Sequence, residues 1–326
     1  MVVRLPRGFQ WFIIFVVLGT FGPASLAQSP AQSPTPRPLS PPAKIVSPSA
    51  PAATLPSSAP PIRLYQKVLM LGRLPYINLT WMKTSHEPLM EYLQREIGVK
   101  DARLVTAKDY KGILDSLSRG TIDFAWLSAI TYSRYHQQYR LIPLVKTGKG
   151  DITSYHGIFI TRRDSGIKDL KDIKGKRLAF VDPESSSGYV FPLALLQKEG
   201  IDPTKDCTEV VFLKKHDEVV KQVLSRGVDV GACLEEAPVL HGKGKLPEEI
   251  FILGKSEPIP ADPLVCRQDL SPVLQKKIRD ALLKITSGSP LSKELLAKEF
   301  GIDCFLPASD VDYNSVKQVL KQLETR

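Results

Sequence analysis

Residues 177–192 read Arg177-Leu-Ala-Phe-Val-Asp-Pro-Glu-Ser-Ser-Ser-Gly-Tyr-Val-Phe-Pro192. The apolar run 178–181 has the composition of a buried strand, and Asp182-Pro183 ends it. The apolar stretch 190–196 after the serines has the length and composition of a helix start. Strand, short polar turn and helix form the repeating unit of an α/β chain. The alternation continues outward in both directions. Residues 67–71, 103–106 and 122–127 read as strands. Leu89, Met90, Leu93 and Ile97 recur at helical spacing, which predicts a helix over 87–97 with Pro88 in its first turn and Gly98 as its stop. Residues 110–118 predict a second helix, stopped by Gly120, and similar segments follow through 272–286. The expected class is α/β with largely parallel sheets. One phrase occurs twice, Ser118-Arg-Gly-Thr-Ile-Asp123 and Ser225-Arg-Gly-Val-Asp229. It points to two similar lobes, each with its own sheet, although any helix-to-strand turn can take this form.

The chain has 326 residues, enough for one large domain or two ordinary ones. Its formal charge is +10, of which Arg4, Arg7, Arg37 and Lys44 supply four in a stretch, 1–62, that holds no acid. The remaining +6 lies on residues 63–326. No dense basic run with interleaved aromatics occurs, so nucleic acid is not an expected partner. Arg4 and Arg7 precede the apolar stretch 11–18, and Ala24-Ser-Leu-Ala27 supplies small residues before a cut after Ala27. This predicts a secretory signal over 1–27 and a periplasmic product, with an uncleaved, membrane-held form as the alternative. Residues 28–62, rich in Pro, Ser and Ala, predict a disordered tether. Cys207, Cys233, Cys266 and Cys304 match no metal-binding spacing, and an exported compartment permits but does not require disulfides.

In open α/β sheets, ligands bind beyond the carboxyl ends of strands, where a helix's free N–H groups favour an anion. Ser185-Ser-Ser-Gly188 sits at such a point, and three hydroxyls beside free N–H groups suit a tetrahedral oxyanion. A plain serine N-cap is the simpler reading. A hydrolase triad of Ser187, His216 and Asp262 is a further one, but Glu184 stands where a nucleophile elbow has its first glycine. No P-loop, HExxH or EF-hand pattern occurs, and no metal or cofactor is expected.

Several separated stretches share one pattern. They are Ala107-Lys-Asp-Tyr110, Thr153-Ser-Tyr155-His-Gly, Asp182-Pro-Glu-Ser185-Ser186-Ser187-Gly, Phe212-Leu-Lys-Lys-His216, the strand 228–234 leading to Glu235-Glu236, and Pro258-Ile-Pro-Ala-Asp262. In this order they resemble the phosphonate-, phosphite- and phosphate-binding periplasmic proteins of ABC importers. The resemblance covers about 68–283; residues 127–132 lack the Gly-Pro of many relatives. It implies a two-lobed, flytrap fold of type II with a mostly parallel sheet in each lobe and a two-crossover hinge. Residues 63–156 and 258–326 would form lobe 1, and 157–257 lobe 2. By the same resemblance Ser185, Ser186, Ser187, Tyr110, Tyr155 and His216 donate to a phosphonyl group. Glu236 and Asp262 face a ligand amine, as in 2-aminoethylphosphonate, with Glu235 as the alternative to Glu236. A monomeric, non-enzymatic receptor that serves membrane permease subunits is expected. The same role for phosphite, phosphate or a sulfonate, and a periplasmic sensing module, remain open.

Overall fold

The computed structural model describes residues 67–325 apart from Gly244, Ala297 and Phe300. The expected signal, 1–27, and the expected tether, 28–62, lie outside the described residues. Thirteen strands are described: β1 Val68–Arg73, β2 Asp101–Val105, β3 Phe124–Trp126, β4 Leu141–Gly148, β5 Ser154–Tyr155, β6 Gly157–Arg162, β7 Arg177–Phe180, β8 Glu209–Phe212, β9 Val230–Leu234, β10 Ile250–Lys255, β11 Ile259–Pro260, β12 Pro263–Arg267 and β13 Cys304–Pro307. They form two main sheets with helices between the strands, and the fold is two-lobed α/β.

Both sheets have the same plan. The first runs β2-β1-β3-β12-β4-β13 and the second β8-β7-β9-β6-β10. Between them β5 and β11 pair antiparallel, Tyr155 opposite Ile259, where the chain leaves the first sheet and later returns to it. The sheets are mixed rather than mostly parallel. β1 pairs parallel with β2 and β3, and β7 with β8 and β9. The strand that enters each sheet after a crossing, β6 or β12, is inserted antiparallel to both neighbours. Its direction is set by the side from which the ribbon delivers the chain, and a run of apolar residues reads alike in either direction.

The repeated phrase lands at equivalent places. Asp123, just before β3, accepts the Met70 N–H of β1 at 2.8 Å and pairs with Lys67 at 2.6 Å. Asp229, just before β9, accepts the Arg177 N–H of β7 at 2.9 Å. Each carboxylate thus ties a central strand to its parallel neighbour. Apolar cores fill both sides of each sheet. Leu69, Leu93 and Phe124 are fully buried in the first lobe, and Val219, Val230 and Phe159 in the second. Burial of one such side chain contributes roughly 1.5–3 kcal/mol.

One helix departs from expectation in a way that matters later. It spans Leu79–Ile97 and begins well before Pro88. Asn78 caps it by accepting the Trp81 N–H at 3.1 Å. Its early turns bury Ser85 and His86, polar residues that break the apolar periodicity but have partners inside the protein. All four cysteines are free thiols, three of them buried. Among the described residues no helix is long and apolar enough to cross a membrane.

Candidate ligand-binding site

β7 ends at Phe180, and the serine turn follows it into a helix. Ser185 caps the helix by accepting the Gly188 N–H at 3.0 Å. The first turn, Ser186–Val190, is wide, with Val190 N–H bonded to Ser185 C=O at 3.0 Å, and continues into helix Phe191–Lys198. Such widened turns frequently occur at functional sites. The backbone here is tightly enclosed. A Cβ on Gly188 would lie 2.4 Å from Val181 Cγ2, and one on Gly157 would lie 2.4 Å from the Ser187 carbonyl oxygen.

The three serines have different partners. Ser185 is occupied as the cap. Ser186 Oγ accepts the Ile130 N–H of the first lobe at 3.2 Å. Ser187 Oγ has no hydrogen-bond partner among the described residues, although the residue is only 4% exposed. The residues before the serines also join the lobes: Ser128 Oγ donates to Glu184 C=O at 2.9 Å, and Arg134 pairs with the Glu184 carboxylate. Asp182 accepts the Glu184 N–H at 3.0 Å and pairs with Lys214 at 2.9 Å.

All eight residues expected from the sequence line one cavity of about 420 Å³ between the lobes. Tyr110 begins helix Tyr110–Ser118, and burial pushes its phenol, like that of Tyr155, well above the ordinary range. Both therefore remain protonated. The Tyr155 hydroxyl donates to Asp262 Oδ1 at 2.8 Å, so its proton is committed to the carboxylate in this arrangement. His216 begins helix His216–Leu224, and its N–H donates to the Tyr76 C=O of the other lobe at 3.1 Å. Its Nδ1 accepts the Leu234 N–H at 2.9 Å, and burial lowers its pKa to about 4. The ring is neutral near pH 7, and the proton must sit on Nε2, leaving one N–H donor.

Two acids share the cavity. Asp262 Oδ1 also accepts the Ala129 N–H at 3.2 Å, and burial raises the carboxyl to about 6. Its Oδ2 has no hydrogen-bond partner among the described residues. Glu236 Oε2 is buried without a partner among the described residues, and burial raises that carboxyl too. Glu235, the alternative, is tied down: it accepts the His156 N–H at 3.0 Å and pairs with Lys255 at 2.7 Å. Ser187, His216 and Asp262 do not connect as a triad, since the histidine Nδ1 meets a backbone N–H and the aspartate meets Tyr155.

Sequence reasoning missed Arg73, Tyr76, Trp126 and Ser128, which line the same cavity, and Gly157 behind the serine turn. Arg73 and Trp126 end parallel strands at their carboxyl ends, and that position was the available signal. A larger groove, about 970 Å³, lies by helix Asn314–Glu324 but holds none of the eight expected residues.

Residues 71–313 match the family described as ABC transporter, phosphonate, periplasmic substrate-binding protein. The "Phosphonates-binding periplasmic protein" of Escherichia coli is 26% identical over 262 residues, covering 78% of this chain and 76% of that protein. The "Phosphate-import protein PhnD" of Mycolicibacterium smegmatis is 24% identical over 277 residues, covering 78% and 85%. Among solved structures, a binding protein component of an ABC phosphonate transporter from Pseudomonas aeruginosa superposes with a TM-score of 0.72 at 24% identity, over 80% of this chain and 88% of that one.

Proposed function

The chain belongs to the family of periplasmic phosphonate substrate-binding proteins of ABC transporters, and from that premise we propose that its ligand is a phosphonate with an aminoalkyl arm. The observation that carries this is the pairing of two opposite kinds of open group in one cavity. Ser187 Oγ offers an unspent hydroxyl in the cavity that His216 and Tyr110 also line. Glu236 Oε2 is buried without a partner among the described residues, and Asp262, whose Oδ1 holds the Tyr155 hydroxyl and the Ala129 N–H, keeps Oδ2 open toward the same cavity. At the serine turn the hydroxyls and N–H groups solvate the phosphonyl oxygens as neutral dipoles. Among the described residues neither acid makes a direct ion pair, burial raises both carboxyls despite more distant cations, and a ligand ammonium relieves the cost of burying them charged. The relative named for phosphate import supports plain phosphate as a second reading.

In this account residues 63–156 with 258–326 close against 157–257 as two lobes, with Tyr155 and Ile259 in the ribbon between them. Ligand contacts from both lobes favour closure, and a membrane permease reads the closed form. The protein acts as an exported monomer and performs no chemistry on its ligand.

Calorimetry of the whole chain with 2-aminoethylphosphonate, methylphosphonate, phosphate and sulfate, each separately, tests the reading. The aminoalkyl ligand is expected to bind at least about tenfold more tightly than methylphosphonate, a difference of ~1.4 kcal/mol. The ratio between those two ligands should depend on pH. The free Asp262 carboxyl is held up to about 6. Below that value it is protonated and loses its attraction for an ammonium, so the ratio is largest above about pH 7 and shrinks toward about pH 5. The ligand ammonium lowers the phosphonyl pKa of 2-aminoethylphosphonate relative to methylphosphonate, so each ligand's own titration in free solution is subtracted before the ratios are compared. Asp262→Asn should flatten this dependence. Preference for phosphate over both phosphonates would overturn the aminoalkyl reading and keep the receptor.

A further inference from the structure

The cavity holds a buried cation that the aminoalkyl reading leaves unused. Arg73 is 6% exposed. Its guanidinium carbon lies 3.6 Å from the Trp126 ring centroid and 4.6 Å from that of Tyr76, and both rings line the same cavity. Contact with aromatic faces steadies a guanidinium while leaving its in-plane N–H edges available. The polar contacts of Arg73 fall on one nitrogen. Nη1 donates to His86 Nε2 and, at a long 3.4 Å, to Glu299 Oε2. Neither Nε nor Nη2 has a hydrogen-bond partner among the described residues.

Glu299 is not a full partner for this cation. It also accepts from Ser85 Oγ at 3.0 Å and from the Tyr76 hydroxyl at 3.4 Å, and it lies beside His86 Nδ1 at 3.1 Å. Strong arginine–carboxylate pairs are two-pronged, with N···O near about 2.8 Å. Arg73 and Glu299 make a single long contact. His86 adds no charge, because burial and the neighbouring guanidinium lower its pKa to about 4. Asp262 makes no direct ion pair with Arg73: its contacts are the Tyr155 hydroxyl and the Ala129 N–H, and the guanidinium acts on it only through space, as the last of the influences that oppose the effect of its burial.

We propose that Arg73 is a specificity-determining residue whose open edge receives a carboxylate of the ligand, so that the preferred substrates are phosphonates that also carry a carboxylate. This rests on the phosphonate reading above. A carboxylate lodged beside Asp262 or Glu236 would be repelled, whereas at Arg73 it meets a cation with two unspent nitrogens, Nε and Nη2. A ligand with phosphonyl, ammonium and carboxylate groups satisfies the serine turn, the two acids and Arg73 together. The cavity of about 420 Å³ leaves room for it beyond a one-carbon phosphonate.

Two probes isolate the carboxylate. 2-Amino-3-phosphonopropionate is 2-aminoethylphosphonate with one carboxylate added. Calorimetry of the whole chain is expected to show about tenfold or greater tightening from that addition. Arg73→Lys keeps the charge but removes the planar fork, and should cut the gain to about threefold or less. If lysine does not sustain the fold, Glu299→Gln gives the second readout. It removes the anion that competes for Arg73 and should enlarge the gain. Equal binding of the two probes by the wild type would overturn the inference and leave the phosphonate reading in place. An Arg73→Lys protein that keeps the full gain would overturn it as well, as would an unchanged gain in Glu299→Gln. Binding of neither probe nor of methylphosphonate would sink both readings.

Discussion

Gly157→Ala is expected to abolish ligand binding at concentrations that saturate the wild type. Gly157 opens β6 directly behind the serine turn. Its backbone is not in the left-handed region, so alanine meets no conformational penalty there. The obstacle is contact. The added Cβ would sit 2.4 Å from the Ser187 carbonyl oxygen and 2.9 Å from Pro192 Cγ. The oxygen is backbone and cannot rotate aside, so the turn itself must shift by about 1 Å to restore ordinary contact. Hydrogen bonds weaken steeply with such displacements. Losing two bonds to a charged ligand at roughly 1.5–3 kcal/mol each gives a loss of about a hundredfold or more. Overpacking should also lower stability by about 1–3 kcal/mol. Calorimetry well below the melting temperature, together with a thermal melt, separates the two effects. Near-wild-type affinity would mean that the position of the Ser187 backbone does not matter for binding.

The second large effect is that of Ser187→Ala. The hydroxyl has no protein partner among the described residues, so its removal leaves no orphaned group and should barely change the melting temperature. Against a phosphonate it removes one charge-assisted bond, roughly 1.5–3 kcal/mol, or about 10- to 150-fold in affinity. The loss should be similar for methylphosphonate and 2-aminoethylphosphonate, since the phosphonyl group is common to both. Ser185→Ala makes the useful contrast. Ser185 caps Gly188 N–H, and its loss should cost about 1 kcal/mol of stability as a lost helix cap does. A Ser187→Ala protein that melts early but binds normally would reverse these two roles.

The fold class and the serine turn were legible because they rest on local pattern. The run 177–192 holds its strand, turn and helix within a single short stretch, and the repeated Ser-Arg-Gly phrase marks equivalent strands of two sheets that share one order. The direction of β6 and β12 was not legible, because alternation and composition are the same for a strand run either way. Tyr110, Tyr155, His216, Glu236 and Asp262 were assigned by resemblance, and no local feature marks them as facing one cavity. The start of helix Leu79–Ile97 was hidden by Ser85 and His86. These look solvent-facing in sequence but are buried because Ser85 donates to Glu299, 214 positions away. Arg73 was missed for the same reason, since its carboxylate contact spans 226 positions. The individual duties of the three serines also depend on distant groups, such as the Ile130 N–H that Ser186 accepts.

That the serine turn holds a phosphonyl group between two lobes is tested most directly by a crystal structure of the chain with methylphosphonate. The predicted result is phosphonyl oxygens within hydrogen-bonding distance, about 2.5–3.0 Å, of Ser187 Oγ. The His216 Nε2–H and the Tyr110 hydroxyl should point into the same site. Methylphosphonate seated elsewhere, for instance in the groove beside helix Asn314–Glu324, with the Ser187 hydroxyl turned away, would contradict it.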